Sequence, residues 1–354
     1  MTTAMSMAGG WAPVWRWVWR AAGGSVAVFG LFVSAVVLAE EETEWPRGHY
    51  PLPEKGNVIG ETYTVTVEDH DDTLMDIARE HGIGYEEIIS ANPDVSIWIP
   101  GEGTEVTIPA QRILPDAERT GVVINIAELR LYYYPEVSEG ETPRVETYPI
   151  GIGREGYDTP LGVTKTTMRL EDPAWYPPRS MREEAAERGD PPPEVVPPGP
   201  DNPLGRHAVL LDIPGYLIHG TNEPDGIGMR ASRGCIRMFP EDVESVFDNV
   251  PVGTRVNIID QPIKVGWRDD QPLVQVFESL EDQEHGMSAL IDTISRLNAG
   301  NQNGQDFDYE QLRGLLDEPS GRLVALQPPA REEADSDEAP VLNGLFEELA
   351  LRDE

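Results

Sequence analysis

Cysteine is almost absent from this chain, which has one, Cys235, in 354 residues. A single cysteine excludes an intramolecular disulfide and any metal site built on several thiolates. Basic residues are also scarce, since 27 Lys and Arg stand against 63 Asp and Glu, for a formal net charge of −36. Such an acidic chain is a poor partner for nucleic acid or an anionic lipid surface. We therefore expect neither partner and interpret the surface as heavily hydrated.

The first forty residues predict export. Arg16 and Arg20 precede a charge-free apolar stretch, residues 21–38, and the small residue Ala39 follows in a position suited to cleavage. The stretch is close in length to a transmembrane helix, so an uncleaved anchor is the alternative, and only then is the membrane a partner. Its Ala, Gly and Ser content favours a cleaved signal peptide, residues 1–39, and hence a periplasmic protein. A free thiol in an oxidising compartment favours a chemical role for Cys235.

A proline-rich linker, residues 40–60, leads to a predicted β-α-α-β unit at residues 61–109. Alternation from Tyr63 indicates a strand, Asp72 or Thr73 can cap a first helix, and a second helix starts near Tyr85. With its stretches "YTV", "DTLMDIA", "ANP" and "VTIP", this unit resembles a LysM module. The resemblance implies a small α+β fold that binds glycans containing N-acetylglucosamine. We expect the unit to improve access to the cell wall without taking part in chemistry.

Two further patterns are similar to known ligand-binding motifs, one for a dinucleotide and one for a metal ion. Gly151, Gly153 and Gly156 spell GxGxxG, but "YDTPLG" follows instead of a helix that could hold a pyrophosphate. We interpret the glycines as a strand connection. His70 stands beside Asp71, yet no further ligand spacing lies nearby, so we interpret it as part of a solvated turn. No metal and no cofactor are expected.

The main domain is predicted to span residues 120–260. The run "GVVINIAELRLYYYP" alternates on both sides of Ala127, which indicates a β-hairpin. Residues 172–203 are dominated by proline, and a loop of this length inside a domain is usually functional or disordered. Trp175 and Tyr176 favour a wall or lid beside a site.

The surroundings of Cys235 predict nucleophilic chemistry. His219 ends the strand-like "GYLIH", and a glycine-rich loop then leads to the thiol. A cysteine nucleophile needs a base within hydrogen-bond reach, and backbone N–H groups at Gly234 and Cys235 can hold an oxyanion. Arg233 and Arg237 flank the thiol, and positive charge predicts a lowered thiol pKa. An inert buried thiol and a structural histidine are the alternatives.

The stretches "HGTN" at His219 and "SRGCIRM" at Ser232 resemble the signature of the L,D-transpeptidase catalytic domain of YkuD type. "DTPLG" at Asp158, "PPGPDNPLG" at Pro197 and "GIGMR" at Gly226 resemble its ErfK/YbiS-like branch. With the LysM-like unit, the resemblance covers roughly residues 61–269. It implies a mainly β, sandwich-like catalytic domain beside a small α+β module.

The resemblance also implies an activity on peptidoglycan. A tetrapeptide stem acylates the cysteine with release of D-alanine, and an amine then resolves the thioester. The acceptor stays open between a second stem peptide, a lipoprotein lysine and a free D-amino acid. An L,D-carboxypeptidase or other hydrolase with the same Cys–His pair is one alternative. A non-catalytic glycan-binding wall protein is another, although it predicts the loss of Cys235 or His219, and both are present.

Roles follow residue by residue from the resemblance. Cys235 is the nucleophile, His219 the general base, and the carbonyl at Gly220 orients the imidazole. The predicted substrate-binding residues are Ser232, Arg237, Arg230, Thr221, Asn222, Trp175 and Tyr176. Many members of the family carry a second histidine where this chain has Arg233. We therefore expect no proton transfer at Arg233 and hypothesise that its charge lowers the thiol pKa.

Two segments follow the catalytic domain. Residues 261–280 predict an appended pair of strands. Residues 281–354 are acidic and contain short helical patterns such as "MSALIDTISRL" and "YEQLRGLLDE". We expect weakly packed helices or a partly disordered tail.

Overall fold

The computed structural model describes residues 45–154, 156–189, 193–268, 270–278, 287–301, 303–304 and 306–328. The predicted signal peptide and the last part of the acidic tail lie outside these residues. Within the described ranges, each helix is too short or insufficiently apolar to cross a membrane.

The N-terminal part is built from short strands and two helices: β1 (His49–Pro51), β2 (Val58–Ile59), β3 (Tyr63–Thr66), α1 (Leu74–Glu80), α2 (Tyr85–Ala91), β4 (Glu105–Ile108) and β5 (Arg112–Ile113). Strands β3 and β4 pair antiparallel, so that residues 61–109 form a β-α-α-β unit. Thr73 begins α1 with a capping box, in which its Oγ1 accepts from Asp76 N at 3.1 Å and its N–H donates to Asp76 Oδ2 at 3.0 Å. Leu74, Ile88 and Ile108 are fully buried in the core of this unit, which we call the 61–109 module.

The central part is mostly strand: β6 (Gly121–Asn125), β7 (Arg130–Tyr134), β8 (Arg144–Pro149), β9 (Ile152–Gly153), β10 (Gly162–Glu171), α3 (Arg179–Glu187), β11 (His207–Leu211), β12 (Leu217–His219), β13 (Arg230–Ser232), β14 (Ile236–Arg237), α4 (Pro240–Asn249) and β15 (Arg255–Ile259). One nine-stranded sheet has the order β1-β8-β7-β6-β15-β10-β11-β12-β14. Strands β6 and β7 form the hairpin that the alternation around Ala127 indicates. In the GxGxxG stretch, Gly151 precedes β9, Gly153 ends it and Gly156 lies in the following turn, before β10.

The main core shows that this sheet folds over on itself. Leu131 on β7 and Ile218 on β12 belong to the same buried cluster although their strands are far apart in the sheet order. Helix α4 adds Val243 and Val246 to that cluster. A sheet whose two ends share one core is strongly curled, since a flat sheet would hold them apart. The prediction of a mainly β, sandwich-like catalytic fold is confirmed.

The C-terminal part has five elements: β16 (Ile263–Arg268), β17 (Gln271–Val276), α5 (Met287–Gly300), α6 (Tyr309–Asp317) and β18 (Leu323–Ala325). Its three strands form an antiparallel sheet in the order β16-β17-β18. Leu297 on α5 and Leu312 on α6 are fully buried against this sheet together with Val274. The expectation of weakly packed helices is therefore corrected for the described part of the tail, because the two amphipathic helices share a core with the predicted strand pair.

Candidate active site

Two parallel strands bring the imidazole and the thiol to one surface. Ile218 pairs with Ile236 and His219 with Arg237 across β12 and β14. Both isoleucines point into the main core, so His219 and Arg237 lie on the opposite face of these strands, and Cys235 directly precedes β14. His219 is buried at 4% exposure, whereas Cys235 is half-buried. The thiol is thus reachable and the imidazole is shielded from water.

The His219 ring is held by the next residue. Its Nδ1 lies 2.6 Å from the carbonyl oxygen of Gly220, and a carbonyl can only accept, so Nδ1 carries the proton. The Gly220 N–H in turn donates to His207 O at 3.1 Å. Burial lowers the pKa of His219 to about 4, with a further lowering from the charge of Arg237 that the Gly220 bond opposes. The ring is therefore neutral near pH 7 and its Nε2 is the basic atom.

The Cys235 thiol is protonated in this arrangement. Its Sγ donates to the carbonyl oxygen of Gly215 at 3.5 Å. Burial raises the pKa of the thiol, and a backbone hydrogen bond with Leu217 and the charge of Arg237 lower it by less. The predicted lowering of the thiol pKa is therefore wrong in sign, because desolvation outweighs the nearby positive charge.

The turn that carries the thiol is organised by hydroxyl groups. Ser232 Oγ donates to the Cys235 carbonyl at 2.6 Å and accepts from the Gly234 N–H at 3.2 Å. Thr159 Oγ1 donates to the Gly234 carbonyl at 3.0 Å. Gly234 has φ +103°, and a Cβ there would lie 3.0 Å from the Tyr216 ring, so only glycine suits the position. The Gly234 N–H, a predicted oxyanion donor, is thus engaged with Ser232.

Arg237 places a positive charge beside both reactive groups. Its backbone exchanges hydrogen bonds of 2.9 and 2.8 Å with Gly151. Its Nε is buried without a hydrogen-bond partner, and among the described residues no carboxylate forms an ion pair with it. Its charge lowers the pKa values of His219 and Cys235. A guanidinium in this state suits an anionic group of a substrate.

Comparison with known proteins decides the family. A family model described as the L,D-transpeptidase catalytic domain (YkuD) matches residues 119–258. The probable L,D-transpeptidase ErfK/SrfK of Escherichia coli (strain K12) is 42% identical over 291 residues, which are 80% of this chain and 92% of that protein. The probable L,D-transpeptidases YbiS and YcfS of the same organism are 44% and 40% identical, and the aligned parts cover 78% and 84% of this chain and 91% and 92% of those proteins. The chain belongs to the L,D-transpeptidase family. The predicted resemblance and enzyme class are confirmed.

Arg233 of this L,D-transpeptidase serves a different purpose from the one we hypothesised. Its guanidinium pairs with both carboxylate oxygens of Glu184 on α3, at 3.1 and 2.5 Å, and lies 4.7 Å from the centre of the Tyr157 ring. These contacts and the Tyr157 hydroxyl lower the pKa of Glu184 to about 2. Arg233 is not among the groups that shift the pKa of Cys235. It joins the turn that carries Cys235 to α3 instead.

The proline-rich segment is ordered around one residue that sequence reasoning missed, Asn202. Its buried side-chain amide donates to the carbonyls of Pro173, Val196 and Pro197, and its oxygen accepts from Leu204 N at 2.9 Å. The only sequence signal was its place in "PPGPDNPLG". Together these bonds join Pro173 to residues 196–197 and 204 of the same segment.

The two aromatic residues of this segment differ in environment. The backbone of Trp175 exchanges hydrogen bonds of 2.8 and 2.9 Å with Val196, and its side chain is half-buried. Tyr176 exposes 69% of its surface. Among the described hydrogen bonds and ring contacts, none joins either side chain to Cys235. Their role beside the thiol stays a prediction.

The other predicted substrate residues fall into two places. Thr221 is buried and accepts from Glu223 N at 2.9 Å, and Asn222 is exposed next to it. Arg230, by contrast, lines a cavity of about 660 Å³ together with Glu86 of the 61–109 module. Neither Cys235 nor His219 is among the described residues that line that cavity. Substrate binding by Arg230 stays a prediction.

The turn at His70 is acidic and exposed. Ligand atoms of Asp69, His70 and Asp71 lie within 4.8 Å of one another, and all three residues are exposed. Exposed carboxylates around one histidine are a common arrangement on protein surfaces, so we keep the interpretation as a solvated turn.

Proposed function

We propose that this L,D-transpeptidase acts on peptidoglycan and transfers the tripeptide acyl group of a tetrapeptide stem through a thioester at Cys235. The observation that carries the proposal is the 2.6 Å contact between His219 Nδ1 and the Gly220 carbonyl. It leaves Nε2 as the basic atom, on a strand that pairs with the strand directly after Cys235. The acyl donor is the carbonyl of the third stem residue, and the leaving group is D-alanine.

The first half-reaction needs one proton to move twice. His219 Nε2 takes the thiol proton as Sγ bonds to the donor carbonyl carbon, and the carbonyl oxygen becomes an oxyanion. Because the Gly234 N–H is engaged with Ser232, we assign the oxyanion to the backbone N–H of Cys235. The intermediate collapses, the C–N bond to D-alanine breaks, and the imidazolium gives its proton to the departing amine.

The second half-reaction is the reverse with a new amine. The acceptor nitrogen attacks the thioester carbon, loses its proton to His219 Nε2, and the C–S bond breaks to restore the thiol. A neutral imidazole and a protonated thiol are the resting state, so the base acts during attack and no ion pair is formed beforehand. We assign Arg237 to a carboxylate of the stem, which matches its unpaired charge.

The proposal extends to the surroundings of the enzyme. The 61–109 module, by its resemblance to LysM, binds the glycan strands. The basic and apolar start of the chain exports the protein to the periplasm, where peptidoglycan is found. A lipoprotein lysine and a stem-peptide amine are both acceptable second substrates, since each supplies a primary amine.

Products identify the reaction. The purified protein is incubated with tetrapeptide-bearing muropeptides, with and without an amine acceptor, and the products and the intact protein are weighed by mass spectrometry. We expect a covalent adduct on Cys235, free D-alanine and a cross-linked dimer. Tripeptide alone in the presence of acceptor would show a carboxypeptidase, and no adduct would leave a non-catalytic wall protein.

A further inference from the structure

The 61–109 module contacts the chain on both sides of the nucleophile. On the upstream side, Tyr85 N donates to Ile227 O at 3.0 Å and Glu86 N to Gly228 O at 3.3 Å. The first N–H groups of a helix have no partner within it, so these carbonyls complete the start of α2. A Cβ on Gly84 would lie 2.9 Å from Gly228 Cα. The two backbones therefore touch directly.

The upstream contact leads to the thiol through a short chain of hydrogen bonds. Gly228 N donates to Ile150 O at 3.2 Å, and Ile152 N donates to Met229 O at 3.1 Å. Strand β13 follows at once and ends at Ser232, whose hydroxyl bonds to the Cys235 carbonyl. These bonds connect the 227–229 backbone with the turn that carries the sulfur.

On the downstream side the module holds the start of α4. Arg79, in the last turn of α1, donates to the two carboxylate oxygens of Glu241 at 2.9 and 2.8 Å. Its guanidinium also lies 5.7 Å from the centre of the Phe239 ring. Phe239 and Glu241 follow Cys235 within six residues. We call residues 227–241 the nucleophile segment.

Buried charges hold the module in place. Glu87 on α2 pairs with Arg112 at 2.8 Å and with Arg130 at 3.5 Å, and Arg130 donates to the Gly82 carbonyl at 2.6 Å. Both arginines are buried, at 3% and 1% exposure. Moving the module away would leave these charges without partners, which is strongly unfavourable. The module is therefore a fixed part of the fold, unlike a binding module on a flexible tether.

We propose that the 61–109 module is a positioning element for acyl transfer and sets the geometry of the nucleophile segment through Gly84 and Arg79. This inference rests on the proposed function and revises our expectation that the module only improves access to the wall. Reacting atoms must be placed to within a fraction of an ångström, and a displacement of about 1 Å can cost 10²-fold in rate. Disturbing the contact slows acylation even at a saturating concentration of a soluble substrate, where glycan binding does not limit the rate.

The first test is Gly84→Ala. Gly84 has φ −81°, so alanine is compatible with its backbone, and the new Cβ meets Gly228. The control is Gly314→Ala on α6, where a Cβ would meet nothing within 4 Å. Acylation by a soluble tetrapeptide muropeptide is followed by intact mass over a range of concentrations. We expect the saturating rate to fall by about tenfold to a hundredfold in Gly84→Ala at unchanged half-saturation, and no change in the control.

A second variant covers the case in which Gly84→Ala does not fold. Arg79→Ala removes the downstream contact, Arg79→Lys restores its charge, and Arg313→Ala removes a surface ion pair with Asp317 elsewhere. The proposal is supported if acylation is slower in Arg79→Ala, partly recovers in Arg79→Lys, and keeps the wild-type rate in Arg313→Ala. Wild-type rates in both module variants, with intact folds, overturn it.

A substrate-free measurement separates this inference from the proposed function. If wild-type protein is not acylated by the muropeptide, the proposed function fails, and the rate of iodoacetamide alkylation of Cys235 then decides. A changed alkylation rate in folded Gly84→Ala or Arg79→Ala supports positioning of the thiol. Alkylation equal to wild type in both variants rejects it.

Discussion

His219 donates a hydrogen bond from Nδ1 to the carbonyl of Gly220, the residue that follows it, across 2.6 Å. The bond selects the tautomer whose Nε2 is basic, and burial keeps the ring neutral by lowering its pKa to about 4. Base and thiol therefore rest as a neutral pair. This finding decides the expected pH behaviour of the enzyme.

The acid limb of kcat/KM is expected near pH 4. A histidine of ordinary pKa, about 6.5, would already be protonated and inactive near pH 5. The pH profile of acylation of the purified enzyme by a soluble muropeptide tests this. An acid limb near pH 6.5 would contradict a buried neutral imidazole at His219.

The lowered pKa of His219 also affects the stability of the fold. Because the folded pKa of about 4 lies below the unfolded value, His219 contributes stability above pH 6.5 that is lost as the pH falls towards 4. The full contribution is about 3 kcal/mol. The free energy of unfolding is measured with urea at several pH values. In wild type it is expected to fall by this amount between pH 6.5 and 4, and in His219→Gln this contribution to the fall is expected to be missing. His70→Gln, at a side chain that is 78% exposed, is the control and is expected to behave as wild type.

Alkylation of Cys235 by iodoacetamide is expected to have its midpoint above the ordinary thiol value of about 8.5, because burial raises the pKa. The same cysteine in the unfolded chain is the reference. His219→Ala is expected to abolish formation of the acyl-enzyme while leaving the protein able to be alkylated. By the family resemblance, a carbapenem is expected to acylate the same sulfur and block labelling. A midpoint well below that of the unfolded chain would show a preformed thiolate instead.

Breaking the Arg233–Glu184 pair is expected to loosen α3 without changing the thiol pKa. Arg233→Met removes two hydrogen bonds between the turn that carries Cys235 and α3. We expect faster limited proteolysis near α3 and an unchanged alkylation midpoint. Arg179→Met, which removes an exposed pair with Glu183 on the same helix, is the matched control. A changed alkylation midpoint in Arg233→Met would show that the charge of Arg233 acts directly on the thiol pKa.

Replacing Trp175 by alanine is expected to raise the ratio of hydrolysis to transfer, because an aromatic wall keeps water from the thioester. The ratio is measured from the tripeptide and cross-linked products of one reaction mixture. Trp175→Phe retains a ring and is expected to stay close to wild type. An unchanged ratio in Trp175→Ala would make it a packing residue of the proline-rich segment.

Local patterns were enough for the family and for several elements, such as the hairpin of β6 and β7. The motif around His219 and Cys235 consists of short runs of residues, and the cap at Thr73 depends on neighbours within a few positions. Such features are set by backbone sterics and by hydrogen bonds between close residues. They can be predicted from sequence for that reason.

The protonation state of Cys235 and the position of the 61–109 module depend on the tertiary structure alone. The two arginines beside Cys235 predict a lowered thiol pKa, but burial raises that pKa. Arg233 instead forms an ion pair with Glu184, 49 positions away. Likewise, nothing near Arg79 in the chain indicates its contact with Glu241, 162 positions later. Desolvation and long-range ion pairs depend on which surfaces meet after the sheet curls and the module docks. No local pattern of residues contains that information, because it arises only when the whole chain has packed.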